Sequence, residues 1–167
     1  LAARDAVHQV FDVTIDLKWP NDLVVASGKV GGVLAEAGGD TVVIGCGMNV
    51  WWPDPPAGAA TLQTADPGAV VVRSLVVAWA DRLLERIERG AGDWGHAEYR
   101  AACTTLGEDV VWDPEGAGTA VDVAVDGGLV VETAQGRTVI RSGEVRRIRA
   151  ATVEPDDQPD GEGTTGP

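Results

Sequence analysis

Lys18, Asn21, Asp22 and Lys29 fall in one short span, followed at once by Gly31 and Gly32 and a little later by Gly45, Gly47 and Asn49. Two ammonium groups near one carboxylate suit an anionic, phosphorylated guest. A lysine at a strand start is a compact point charge for phosphate or carboxylate. Adjacent glycines let a ligand approach the backbone closely, at an entropic cost that a strand otherwise avoids. The same residues admit a plainer reading, in which Lys18 and Lys29 are solvated and Gly31-Gly32 forms a bulge.

The surrounding elements must bring these groups together. Val13, Ile15 and Leu17 alternate with polar neighbours, which reads as a strand. Trp19-Pro20 ends it, because proline lacks an N–H for the ladder and drives the preceding residue into an extended or turn conformation. Asn21 and Asp22 occupy the turn, the apolar run 23–26 returns, and Ser27-Gly28 is a second turn before Lys29 opens the next strand. Asp22 and Lys29 therefore lie at opposite ends of one short strand, and a twist or bulge there would bring both to the same ligand. Gly38-Gly39-Asp40 reads as a hairpin turn. The β-branched run Thr41-Val42-Val43-Ile44 then leads as a strand into Gly45-Cys46-Gly47-Met48-Asn49-Val50. Glycines at i and i+2 face one side of a strand. They either clear room for a flat ligand or allow close packing against a helix.

Composition narrows the field. The chain has 167 residues, 44% of them hydrophobic, enough for one good core or for one core and a small satellite. Its net charge of −13 disfavours nonspecific binding to nucleic acid or to anionic membrane, since both require a basic footprint. Cys46 and Cys103 lie among apolar or small residues and read as reduced cysteines of a cytoplasmic protein. His8 and His96 are far apart, without partners at ligand spacing, so no structural metal site is expected. No run is apolar enough to span a membrane. Ala3, Ala6, Val7, Val10 and Phe11 recur at helical intervals. A helix that starts at residue 1 with neither methionine nor a capping residue reads as the downstream part of a longer chain.

Three blocks carry a family resemblance: Lys18-Trp19-Pro20-Asn21-Asp22, then Lys29-Val30-Gly31-Gly32-Val33-Leu34-Ala35-Glu36, then Gly45-Cys46-Gly47-Met48-Asn49-Val50. In order and spacing they resemble the second half of the catalytic domain of biotin protein ligases. The likeness extends to about Arg149. It implies an α+β fold: part of a domain like the core of class II aminoacyl-tRNA synthetases, with a mixed sheet and helices, followed by a small C-terminal SH3-like barrel. The corresponding division is 1–106 for the catalytic part, 107–150 for the barrel and 151–167 for a disordered tail.

The resemblance also implies chemistry. Biotin would attack the α-phosphate of ATP with Mg²⁺, giving biotinyl-5′-adenylate, which a lysine of a biotin carboxyl carrier protein or domain of an acetyl-CoA carboxylase or related enzyme would then attack. Lys29 matches the family's catalytic cation, and Asp22 the acidic residue that orients the incoming amine. Lys18 and Asn21 would support phosphate or ligand oxygens. Gly31 and Gly32 would run along the biotin tail, Gly45 and Gly47 would line the floor, and Asn49 would lie toward the nucleotide. No nucleic acid or membrane partner is implied, and a homodimer is compatible. The family's Gly/Arg-rich loop over the adenylate has no match; Arg89-Gly90-Ala91-Gly92 is the nearest string and sits at a helix end. Two alternatives stand beside the ligase: a noncatalytic ligand- or carrier-binding fragment, and a lipoate-attaching relative. Trp19-Pro20-Asn21-Asp22 with Lys29-Val30-Gly31-Gly32 points to biotin.

The remaining patterns are more ordinary. Pro53, Pro55 and Pro56 make 51–68 irregular, a length typical of lids and binding loops, and Trp51 and Trp52 read either as a cover for adenine or as loop packing. Asp66-Pro67 reads as a helix start. Val71, Leu75, Trp79, Leu83 and Ile87 follow helical spacing to Gly90, with Asp81, Arg82, Glu85, Arg86, Glu88 and Arg89 as a solvated charged face. Asp93 is expected to cap a short helix through Tyr99 and Cys103, closed by Gly107. From Glu108 onward about five short strands follow, with a tight turn at Asp126-Gly127-Gly128.

Overall fold

A computed structural model of the chain describes residues 1–112 and 116–141, and the backbone of 145–147. The expected tail 151–167 lies outside the described residues. The architecture is α+β, with two sheets. Helix α1 (Ala2–Phe11) precedes a four-stranded sheet of β1 (Asp16–Lys18), β2 (Asp22–Val25), β3 (Gly28–Gly38) and β4 (Thr41–Met48), in that spatial order. Helix α2 (Gly68–Glu88), a 3₁₀ turn at Ala91–Asp93 and helix α3 (His96–Ala102) follow. Strands β5 (Asp109–Trp112), β6 (Gly116–Val123), β7 (Leu129–Thr133), β8 (Gly136–Ile140) and β9 (Val145–Arg147) form the second sheet, in the order β8-β7-β6-β5-β9.

All these strand pairs are antiparallel. The expected mixed sheet is thus not seen among the described residues. Parallel pairing survives only as isolated bridges, Leu17 to Cys103 and Lys29 to Ala59. Short turns join successive strands here, and short turns force antiparallel neighbours.

Cross-strand register sorts the first sheet into two unlike faces. Leu17, Leu23, Gly31 and Met48 stand opposite one another across four strands. Their face meets the helices: Leu17 and Leu23 join Ala3, Ala6, Val7, Val30, Leu75 and Ala78 in one buried cluster, with Met48 against it. Lys18, Asp22, Gly32 and Gly47 form the neighbouring row, which alternation turns to the opposite face.

The helices end differently from expectation in two places. Asp66 does serve the start of α2, its Oδ1 accepting the Gly68 N–H at 2.8 Å. Asp93 does not cap α3; Gly95, at φ 87°, occupies that position, because a left-handed turn there favours glycine. The charged side of α2 is also not wholly solvated. Arg86 is largely buried between α1 and α3, its Nη2 donating to Asp5 at 2.6 Å and to Glu98 at 2.8 Å. Helix α1 packs along α2 and carries Asp5 to that point.

The second sheet closes its own core of Val110, Ala120, Val123, Leu129, Val131 and Ile140. Trp19, from the first sheet's β1–β2 turn, is buried in the same cluster.

Candidate functional site

Lys29 and Asp22 meet because the β2–β3 ladder slips. Asp22 pairs with Gly32 and Leu23 with Gly31, but Val24 pairs with Lys29, leaving Val30 as the extra residue. A bulge of this kind re-aims the side chains beyond it. Val30 goes into the core, 1% exposed, and Lys29 is brought to the face of Asp22 and Gly32. Lys29 Nζ then lies 2.6 Å from Asp22 Oδ1, with Lys18 Nζ 3.7 Å from Asp22 Oδ2. Of the twist or bulge expected there, the bulge is present, and one carboxylate sits between two ammonium groups.

The backbone of Lys29 is held from the other side as well. Its N–H donates to the Gly58 carbonyl at 2.9 Å, and its carbonyl accepts from Ala60 N–H at 2.8 Å. The 57–60 stretch therefore acts as a short extra partner for the start of β3. Asn49 fastens the arrangement: its Nδ2 donates to the carbonyls of Lys29 at 3.3 Å and Ala60 at 3.2 Å. Its backbone N–H donates to Val30 O at 2.7 Å, and its carbonyl accepts from Leu62. The side-chain nitrogen of Asn49 thus steadies the strand that carries Lys29.

The glycines divide into two kinds. A Cβ on Gly31 would meet the Gly47 carbonyl oxygen at 2.3 Å, so this glycine permits close approach of two strands. Gly45 and Gly47 have nothing within 4 Å of where a Cβ would project, and they form an open, side-chain-free surface. Gly32 lies between these extremes, its Cβ position 3.8 Å from both Asp22 Oδ1 and Lys29 Cε. Leu34, opposite Gly45, is 66% exposed on this same face. The result is a flat floor with an apolar border and a cationic end.

Asn21 contributes through its backbone: its carbonyl accepts from Val33 N–H at 2.9 Å. The turn is anchored from the second sheet through Trp19, whose N–H donates to buried Thr105 Oγ1 at 3.0 Å and whose Nε1 donates to Gly127 O at 2.9 Å. Tyr99 reaches it too, its hydroxyl 3.4 Å from the Pro20 carbonyl. Burial, with Cys103 adding to it, pushes the Tyr99 phenol above its ordinary value and keeps it a donor. Trp51 and Trp52 remain 41% and 45% exposed, so neither is packed away in its loop.

Neither cysteine is in a disulfide; Cys103 is buried and Cys46 half-buried, its thiol pushed up by that burial. Among the described residues, no three His, Cys, Asp or Glu side chains cluster as a metal site. No described helix is long and apolar enough to cross a membrane.

These features define a class: an α+β core whose antiparallel sheet is covered by helices on one face and presents a bare, cation-edged face on the other. Comparison with known proteins narrows it. No family model matches the chain. Biotin–[acetyl-CoA-carboxylase] ligase of Mycobacterium tuberculosis is 32% identical over 168 residues, an alignment covering 89% of this chain and 60% of that protein. The chain thus spans less than two thirds of that relative. Biotin protein ligase from Aquifex aeolicus, solved in complex with biotin and ATP, superposes with a TM-score of 0.72 at 25% identity, covering 89% of this chain and 68% of that one. Another crystal structure of the Aquifex protein gives 0.74 at 26% identity, with 89% and 71% covered. By sequence and by fold, the chain is similar to biotin protein ligases.

Proposed function

We propose that the chain carries the nucleotide-and-acceptor end of a biotin protein ligase, which activates biotin as biotinyl-5′-AMP and passes it to a lysine of a biotin carboxyl carrier protein of the acetyl-CoA carboxylase type. The observation that carries this reading is the Lys29 ammonium on the bare glycine face, 2.6 Å from Asp22. The first step places negative charge on the α-phosphate oxygens and on the biotin carboxylate. A fixed cation aimed at such charge in a water-poor site is worth about 3–4 kcal/mol. Lys29 fills that role, held in place by Gly58, Ala60 and Asn49. Gly45 and Gly47 give the ring system room, Gly32 lies along the tail, and Gly31 lets the strands close beneath it.

In the second step the carrier's lysine amine attacks the mixed anhydride. The carbonyl carbon–nitrogen bond forms, AMP leaves, and the ammonium proton must be removed. Asp22 is the carboxylate paired with Lys29 and takes the role of orienting that amine and accepting its proton. Lys18, 3.7 Å from Asp22, supports the phosphates, and Asn21 shapes the turn. Mg²⁺ would come to this site on the ATP phosphates, the usual way this cation binds. The SH3-like reading of the second sheet, as a unit over 107–150, belongs to the same proposal.

The test is calorimetric titration of the purified chain with biotin and with biotinyl-adenylate, repeated for Lys29→Ala. The expected result is tighter binding of the adenylate than of biotin, with adenylate affinity lowered about 10²-fold or more by the substitution. Equal affinity of the parent and variant chains for the adenylate would reject the role of Lys29.

A further inference from the structure

We propose that Trp19 is a positioning residue through which the second sheet sets the geometry of the Lys18–Asp22 turn. This rests on the ligase reading only for the consequence in catalysis; the mechanical claim stands on the fold alone. Trp19 is 4% exposed, yet its side chain is not in the core of the sheet to which β1 belongs. It lies among Val110, Ala120, Val123, Leu129 and Val131, residues far along the chain. Both of its N–H groups are engaged there, one by Thr105 Oγ1 and one by Gly127 O.

Among the described residues Thr105 is the one polar residue buried in the interior, at 1% exposure, and its hydroxyl accepts the Trp19 backbone N–H. A buried polar group without a partner is costly, so the Trp19–Thr105 bond has one favoured arrangement. Leu17, two residues earlier, is tied to the same segment: its carbonyl accepts from Thr104 N–H at 2.8 Å. The chain is thus gripped at Leu17 and Trp19, immediately before Asn21 and Asp22. Lys18, between those two anchors, carries one of the two ammonium groups beside Asp22. Moving Trp19 must move Lys18 and the turn together, while Lys29 stays with Asn49 and the 57–60 stretch.

Two amide protons separate this role from ordinary core packing. Val33 N–H is bonded to the Asn21 carbonyl and reports on the turn; Asn49 N–H is bonded to Val30 O and reports on the same sheet away from it. The experiment measures hydrogen exchange at both in the full chain as it stands, for Trp19→Ala, Trp19→Phe and Val131→Ala. Val131 is fully buried in the same second-sheet core but belongs to β7 and lies outside the 19–22 turn. Expected is at least tenfold faster exchange at Val33 relative to Asn49 in Trp19→Ala, most of the protection restored in Trp19→Phe, and an unchanged Val33-to-Asn49 ratio in Val131→Ala. Equal acceleration at both amides in Trp19→Ala, or the same ratio change in Val131→Ala, would overturn the proposal and leave Trp19 a packing residue. Where Trp19→Ala does not fold, Trp19→Phe decides: it lacks the indole N–H to Gly127 and must still show a measurable, smaller rise at Val33 alone. Titration with biotinyl-adenylate runs in parallel. Loss of affinity in Trp19→Ala with an intact parent supports the catalytic consequence. A parent chain that binds no adenylate rejects the ligase reading, while the exchange ratio still judges Trp19.

Discussion

The two sheets of this molecule do opposite things with their apolar residues. The second buries Val110, Val123, Leu129 and Val131 almost completely. The first buries only the row facing α1 and α2 and leaves Leu34, Val42 and Val43 60–66% exposed along the outer half of the β3–β4 hairpin. One sheet closes its apolar residues into a core of its own; the other presents an open face paved by glycine and edged by Lys18, Asp22 and Lys29. The difference teaches where substitution should be felt. Changes in the closed sheet should appear as lost stability, and changes on the open face as lost chemistry. Trp19 is the exception that belongs to both.

The sharpest test of that division is Asp22→Asn. The carboxylate is mostly buried between two lysines, but those pairs lie at a surface where ion pairs contribute about 0–1 kcal/mol. Stability should change little. Transfer from preformed biotinyl-adenylate to the acceptor lysine should slow by about 10²-fold, the lower range for removal of a general base. A transfer rate equal to the parent's would break the assignment of Asp22 and with it the chemical role of the open face.

A subtler comparison lies inside the first sheet. Gly31→Ala places a methyl 2.3 Å from the Gly47 carbonyl, so the β3–β4 ladder must shift, at about 1–3 kcal/mol by the usual cost of overpacking. Gly47→Ala projects its methyl into open space, and should leave the denaturation midpoint within about 0.5 kcal/mol of the parent once the small propensity gain is included. Its effect should instead appear in ligand affinity. A midpoint that falls equally in both variants would show that the glycine face is covered in solution and not open.

Much of this site was legible beforehand because its determinants are local. Val13, Ile15 and Leu17 alternate, Pro20 breaks the ladder, and the turn residues at 27–28 and 38–40 mark the hairpins. Asp22 and Lys29 are legible as opposite ends of one short strand, and the device that brings them together is a ladder slip at Leu23/Val24. The helix start at Asp66 was readable from its capping chemistry. What stayed hidden depends on contacts distant in sequence. Trp19 looked like the end of a strand, because nothing near it in the chain hints at Gly127 or Thr105. Arg86 looked like one more surface charge, because Asp5 arrives only when α1 packs on α2. Asn49 was readable as an amide near the site, but not as the clamp on Lys29 and Ala60. Gly31, Gly45 and Gly47 look alike as letters; only the neighbouring strand separates the glycine that closes a gap from those that leave one.

The smallest expected effect concerns the joint between the sheets. Asp126 begins the tight turn whose Gly127 carbonyl receives Trp19. Its Oδ1 accepts the Gly128 N–H at 3.1 Å, and Oδ2 pairs with Arg141 at 2.9 Å. The Gly128 N–H first, and then the Arg141 guanidinium, hold this carboxyl below the usual aspartate value. A carboxyl depressed by folding contributes stability that is fully present above the unfolded value and is lost as pH falls through the folded one. The contribution is therefore intact at neutral pH and fades only in acid. Because the group is exposed, the effect on overall stability should be slight. The local effect is more telling: in acid, Gly128 amide exchange should rise once normalised for intrinsic chemistry, and exchange of the Trp19 indole N–H, bonded to Gly127 O, should rise with it, before the Asn49 amide loses protection. Asp126→Asn should remove that early step while leaving the later, global acid transition. If the Trp19 indole N–H in the parent loses protection only with the Asn49 amide, the Gly127 turn transmits nothing to the first sheet, and the contrast between a closed core and an open face loses its mechanical link.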